Sequence, residues 1–160
     1  MATVNVPNVN QERLCPLTSQ SHTLLCLDFG TQKMGMAVGQ TITSTASPLP
    51  VIKAKQGEPD WEQLDEMVRQ WKPAAIIVGM PYNMDGTEND MTEKAESFRK
   101  KLQEKYNLPC HGMDERLSTR EARNISRENA EASRKKFDER GEVDSLAAQL
   151  ILESWLEQLN

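Results

Sequence analysis

Residues 24–40 read LLCLDFGTQKMGMAVGQ. An apolar run ends on Asp28, Phe29 and Gly30, and a second run of small and apolar residues begins almost at once. The spacing predicts two strands, "HTLLCLDF" and "MGMAVGQ", joined as a hairpin through the short turn "GTQK". A carboxylate at the tip of a core strand is either a turn-maker or a member of a site. "SPLPVIKA" extends this start as a third strand, its prolines suiting an edge or strand-start position.

From there the pattern alternates. "DWEQLDEMVRQWK" is a helix with Trp61, Leu64, Val68 and Trp71 at helical spacing and Asp60 with Gln63 as a capping box. "PAAIIVGMP" is a continuous apolar run that reads as a central buried strand, with Gly79 and Pro81 opening a defined loop behind it. A second helix covers about residues 88–105, with Met91, Ala95, Phe98 and Leu102 as its stripe. "LPCHGMDE" is a fifth strand, and Ser118 with Glu121 caps a third helix, "TREARNISREN". "AEASRKKFDERGE" has no apolar face and reads as a charged loop or frayed helix. In the last helix, "VDSLAAQLILESWLEQL", Val143, Ala147, Leu150 and Ser154 fall in one line. The expected architecture is α/β: a mixed five-stranded sheet, three strands in a meander and then parallel strands, flanked by helices. That order matches a ribonuclease H-like fold better than a doubly wound nucleotide fold, whose crossovers would begin after the first strand.

The chain's 160 residues fit one domain with a sizeable core, and no apolar stretch is long enough for a membrane helix. Residues 1–20 are polar, poorly periodic and without a secretory signal's basic start and apolar centre, so they read as a mobile tail before a domain over 21–160. The three cysteines have no CxxC spacing; Cys26 and Cys110 read as buried free thiols, which suits a reducing cytoplasm. A net charge of −5 argues against strong non-specific binding of nucleic acid. The cations are unevenly spread, however, and concentrate between Arg116 and Arg140, where interleaved glutamates leave a solvated charged face as the ordinary reading.

Asp28 ends the first strand, Asp114 and Glu115 end the fifth, and Asp144 starts the last helix. Strand ends in an α/β sheet converge on one crevice, and carboxylates gathered there repel unless a divalent cation joins them; oxygen ligands favour Mg²⁺ or Mn²⁺. Such ions assist phosphodiester cleavage. Each acid also has an ordinary reading: Asp28 as a turn residue, Asp144 as a helix N-cap, Glu115 as a surface partner of Arg116 or Arg120. Asn83 and Thr87 could donate to a phosphate beside the next helix's free N–H groups, or simply belong to an ordinary strand-to-helix connection. His22 and His111 stand alone and are assigned no role.

Four segments, "LDFGTQKMGMAVG", "IIVGMPYNMDGTE", "DERLSTREA" and "VDSLAAQLILESWL", together resemble the YqgF (RuvX) family. The family consists of relatives of Holliday-junction resolvases regarded as nucleases that mature the precursor of small-subunit ribosomal RNA. The resemblance implies a ribonuclease H-like fold and a metal-dependent nuclease. Its acidic site maps onto Asp28, Glu115 and Asp144, which would be both catalytic and metal ligands for Mg²⁺ or Mn²⁺. Lys33, Asn83, Arg116, Ser118 and Thr119 would contact substrate. The implied partner is nucleic acid, pre-rRNA or branched DNA, with a ribosomal particle as a conceivable setting; the protein would be a cytoplasmic monomer or homodimer without membrane contact. Two rivals stay open. "DFGTQKMG" also resembles the first phosphate loop of the actin, Hsp70 and sugar-kinase group, although 160 residues leave no room for the second domain that group uses. The other rival is a non-catalytic nucleic-acid-binding scaffold.

Overall fold

The chain is described here by a computed structural model covering residues 22–115 and 145–159. The expected tail, the third helix and the charged stretch after it lie outside those residues. Strands β1 (Thr23–Asp28) and β2 (Lys33–Gln40) form the predicted hairpin, in register from Thr23 opposite Gln40 to Asp28 opposite Gly35. The turn depends on Gly30, where an added Cβ would lie 2.2 Å from the Lys33 carbonyl oxygen. A backbone atom cannot step aside as a side-chain tip can. Gly30→Ala is therefore expected to lower stability by roughly 2–3 kcal/mol. A urea midpoint unchanged from the parent protein would contradict that close approach.

Strand β3 (Thr45–Lys55) completes the meander, and β4 (Glu58–Pro59), α1 (Trp61–Trp71), β5 (Ala75–Met80), α2 (Asp90–Tyr106), β6 (Cys110–Asp114) and α3 (Leu146–Gln158) follow. The sheet order is β4-β3-β2-β1-β5-β6, antiparallel through the first four strands and parallel from β1 to β5 to β6. The ribonuclease H-like order is as expected, but the sheet has six strands rather than five. The extra strand is a two-residue pairing of Glu58 and Pro59 with Lys55 and Ala54, too short for any sequence period. Between Met34 opposite Ile52 and Met36 opposite Leu49 the β2–β3 register shifts, with three steps on β3 facing two on β2. Pro50, which has no N–H for a ladder, lies in the longer step.

Strand alternation divides the core into two layers. Leu25, Leu27, Phe29, Ile76 and Val78 face α1 and α2, packing with Leu64, Phe98 and Leu102. Leu24, Cys26, Ala37, Ile77 and Met113 face α3, packing with Ala148, Ile151, Leu152 and Leu156. Of the expected line Val143, Ala147, Leu150 and Ser154, Val143 lies outside the described residues and Ala147 is exposed, whereas the buried residues of α3 are Ala148, Ile151, Leu152, Trp155 and Leu156. Leu146–Leu152 is almost entirely apolar, so spacing alone could not select a face. At α1, Asp60 caps Gln63 N as predicted, but the reciprocal arm does not form. Gln63 instead reaches β3, donating to the Val51 carbonyl and accepting from Lys53 N. The full capping box belongs to α2, between Asn89 and Thr92. Cys26 and Cys110 are buried free thiols. Among the described residues no helix is long and apolar enough to cross a membrane.

His111 stacks on Trp155 at 5.3 Å between ring centroids, joining β6 to α3. Burial, then the Arg99 charge, pulls its pKa down to about 4. An unfolded imidazole takes a proton near 6.5, so between there and about 4 the unfolded chain binds more protons and stability falls as pH falls. His111→Phe, which keeps an aromatic stack, is expected to lose about 2 kcal/mol less than the parent between pH 7 and pH 5. Parallel urea titrations measure the difference; identical pH dependence would show that His111 is not held neutral.

Candidate active site

The alternation that builds the α3-facing core continues to the ends of the strands. After Leu24 and Cys26, Asp28 is the next β1 residue on that face; after His111 and Met113, the next on the β6 side is Glu115. Asp114 has the opposite parity and lines a groove at the β6 edge with Tyr82, Arg99 and, from α3, Trp155 and Gln158. Of the two adjacent acids, Glu115 is therefore the one that shares a face with Asp28.

Between them lies Gly79. It is the β5 residue paired with Asp28 on one side and Met113 on the other. A Cβ built on Gly79 would sit 3.0 Å from Glu115 Oε1, 3.5 Å from Glu115 Cγ and 2.7 Å from Ile151 Cδ1. The Glu115 side chain thus lies across the space a side chain at 79 would fill, reaching toward the strand that carries Asp28. The sequence assigned Gly79 to the loop, but it is the penultimate residue of β5, where absence of a side chain leaves room for a carboxylate. Both acids are half-buried. Beneath them the Cys26 thiol is pushed well above its usual range, first by burial and then by the negative charges of Asp28 and Glu115. One buried atom feels both carboxylates.

Other candidates stand at the same end of the sheet or beyond the described residues. Lys33 opens β2 two residues past the Asp28–Gly35 pair and is exposed. Asn83 lies in the loop that leaves β5, and its side chain is engaged there: Nδ2 donates to Thr87 Oγ1 at 2.9 Å and Oδ1 accepts from Asn89 Nδ2 at 2.8 Å. Thr87 Oγ1 donates to Asp85 Oδ1 at 2.6 Å. These bonds, with Thr92 Oγ1 donating to the Pro81 carbonyl, make the loop a knit platform rather than a set of spare donors. Arg116, Ser118, Thr119 and Asp144 lie outside the described residues. The next residue after Asp144 does not: Ser145 is wholly buried at the N-cap of α3. Sequence reading passed it over in favour of its acidic neighbour. Its signal was a small polar residue directly before an apolar helix.

Two carboxylates across a glycine gap fit a hard divalent cation in donor type, since oxygen ligands with excess negative charge suit Mg²⁺ or Mn²⁺. No cluster of three or more metal-ligating side chains occurs among the described residues.

Comparison with known proteins bears directly on this arrangement. A family model described as "RuvX: Holliday junction resolvase" matches residues 22–158. The chain belongs to the RuvX family. A RuvX relative from Glaesserella parasuis, named "Putative pre-16S rRNA nuclease", is 47% identical over 140 residues, 86% of this chain and 98% of the relative. Among solved structures, the fowlpox virus Holliday junction resolvase superposes with a TM-score of 0.53 at 14% identity, covering 86% of this chain and 99% of that one. Thermus thermophilus RuvC in complex with a Holliday junction substrate does so with a TM-score of 0.51 at 17% identity, covering 86% and 96%. At those identities the likeness establishes the fold. RuvX membership and the ribonuclease H-like sheet agree with the sequence-based expectations.

Proposed function

We propose that this RuvX protein is a metal-dependent nuclease that hydrolyses phosphodiester bonds in ribosomal RNA precursors, with Asp28, Glu115 and Asp144 as its acidic centre. The observation that carries the proposal is the Glu115 carboxylate lying over Gly79 on the face and at the strand end of Asp28. Two carboxylates so placed would become ligands when a cation is shared between them. What Mg²⁺ or Mn²⁺ would supply there is stabilisation of phosphate charge and a more acidic water. Asp28 and Glu115 would hold the ion from adjacent parts of a rigid sheet, with Asp144 as the third carboxylate. Glu115, at the end of its strand, would also orient the attacking water. Lys33 and Arg116 would neutralise phosphates flanking the scissile bond, while Ser118 and Thr119 would donate to them. Asn83 would border the groove through the loop it braces.

The pre-rRNA reading is supported by the name of the Glaesserella relative, and a reading on branched DNA by the family description. Residues 21–160 would form one nuclease domain acting in the cytoplasm, on RNA alone or within a ribosomal particle, as a monomer or homodimer. The test is cleavage of labelled rRNA precursor, free and in particles, beside a four-way DNA junction, with Mg²⁺, Mn²⁺ or chelator. Metal-dependent cutting of RNA is the expected result. Cutting of the junction alone would move the substrate to recombination intermediates, and binding without cutting under any metal would make the protein a scaffold.

A further inference from the structure

Strands β2 and β3 run on past the end of β1. Asp28 closes β1 opposite Gly35, and Lys33 opens β2 two residues beyond that rung. Lys53 stands directly opposite Lys33, and Lys55, the last residue of β3, lies two residues further out. Met34 and Ile52 turn to the α1 and α2 core, so alternation sets Lys33, Lys53 and Lys55 on the other face, the one shared by Asp28 and Glu115. Helix α3 begins further back along that face, where Ser145 Oγ accepts from the Met36 N–H at 2.9 Å and donates to the Leu49 carbonyl at 2.6 Å. All three lysines are exposed. At about 3.4 Å per residue and ~4.8 Å between strands, their Cα atoms lie roughly 8, 12 and 17 Å from that of Asp28.

This rim is a firm platform. The Ala54 N–H donates to the Gln32 carbonyl at 2.9 Å and the Gly57 N–H to the Thr31 carbonyl at 3.0 Å, tying β3 to the turn after β1. The Lys53 backbone bonds elsewhere, its N–H to Gln63 Oε1 at 3.2 Å and its carbonyl to the Asp60 N–H at 2.7 Å. Lys33 and Lys53 are therefore a non-hydrogen-bonded pair, the kind whose side chains come closest. Like charges directly opposite one another in a ladder are ordinarily disfavoured. Glu58 faces Lys55 across β3 and β4, yet its carboxylate accepts from Trp61 Nε1 at 3.0 Å and pairs with Lys101 of α2. A chain of net charge −5 thus gathers three cations beside its acidic pair, where carboxylates alone would repel a phosphate.

From this placement we infer that Lys33, Lys53 and Lys55 form a track for the phosphodiester backbone of the substrate, leading one strand from the acidic pair across β2 to the outer end of β3. Lys53 and Lys55 are its new members, and they give the strand a direction of exit. The inference rests on the nuclease reading above and adds the path to it. A lysine ammonium grips phosphate as a point charge, so such a track holds RNA or DNA without reading bases. Lys53 and Lys55 serve affinity rather than the chemical step.

The test is equilibrium binding in chelator, across a salt series, of a labelled rRNA-precursor fragment and, separately, of a four-way DNA junction. The proteins are the full chain, Lys55→Gln, the Lys53→Gln/Lys55→Gln double variant and Lys100→Gln. Lys100 is exposed on α2, which packs against the opposite face of the sheet. Each track lysine lost is expected to flatten log K against log[salt] by about 0.7 for single-stranded RNA or ~0.9 for duplex DNA, which at ~0.1 M salt is about 5-fold in RNA affinity. The double variant should then bind RNA about 25-fold more weakly, with KM for cleavage raised by that order and kcat within about two-fold. A loss confined to the junction would give the track to branched DNA. Unchanged affinity and slope in the double variant, or an equal loss from Lys100→Gln as from Lys55→Gln, would overturn the track and leave the nuclease reading standing. No binding of either probe by the parent at low salt would overturn the track too. If the parent shows these losses but cuts neither probe with any metal, the nuclease reading fails and the track stands as a binding surface.

Discussion

Asp28→Asn is expected to slow metal-dependent RNA cleavage by about 1,000-fold, ~4 kcal/mol of barrier, without loss of the fold. The substitution keeps the shape of the side chain and removes its charge. Asp28 is half-buried at the end of β1, within reach of Cys26 below and on the same face as Glu115. Because Asn keeps the shape of the side chain at a half-buried strand end, Tm in chelator should stay within a few degrees of the parent. Lower activity with undiminished stability is the signature of a charge kept for function rather than structure. If Asp28 were only a turn residue, Asn would serve as well and cleavage would persist. Rates under single turnover and thermal melts in chelator make the comparison; retained metal-dependent cutting would remove Asp28 from the centre.

Gly79→Ala is the second large effect, and it acts through space rather than charge. In an ordinary strand interior an alanine is favoured over glycine by roughly 0.5–1 kcal/mol, because glycine has more conformational freedom to lose. Here the new methyl would come within 2.7 Å of Ile151 Cδ1 and 3.0 Å of Glu115 Oε1. Both are side-chain ends, so the strand can survive while Glu115 gives way. A displacement of ~1 Å at a catalytic group costs about 100-fold in rate. The expected result is a fall in kcat of that order, a wild-type KM for RNA and a Tm within a few degrees of the parent. Full activity in Gly79→Ala would show that Glu115 does not need the space it occupies.

The hairpin and the end placement of Asp28 were legible because strand alternation, a short turn and an abrupt charge coincide within a few residues. The choice of Glu115 over Asp114 was legible only through family resemblance. Its physical basis is parity with Met113 and His111, which requires knowing which face α3 covers. That face was misjudged, since Leu146–Leu152 offers apolar residues in nearly every direction and the sheet, not the helix, selects among them. Gly79 read as the start of a loop because glycine beside proline usually marks one; its role as a gap under a carboxylate depends on a partner 36 residues away in sequence, which no local pattern reports. Ser145 was missed for a similar reason. Its partners lie in two strands far upstream, and the acid beside it drew the stronger reading. The capping residue Asp60 was found correctly, yet Gln63 preferred a carbonyl on β3 to the reciprocal cap, a tertiary contact outweighing a local one.

The central claim is that Asp28 and Glu115 hold one ion between them. Its most direct test is a double-mutant cycle in Mn²⁺ affinity, measured by calorimetry for the parent, Asp28→Asn, Glu115→Gln and the double variant. If the two carboxylates share the ion, each single change removes most of the binding and the double change adds little to either. Losses that simply add would mean separate sites, and affinity unchanged in both single variants would contradict the account.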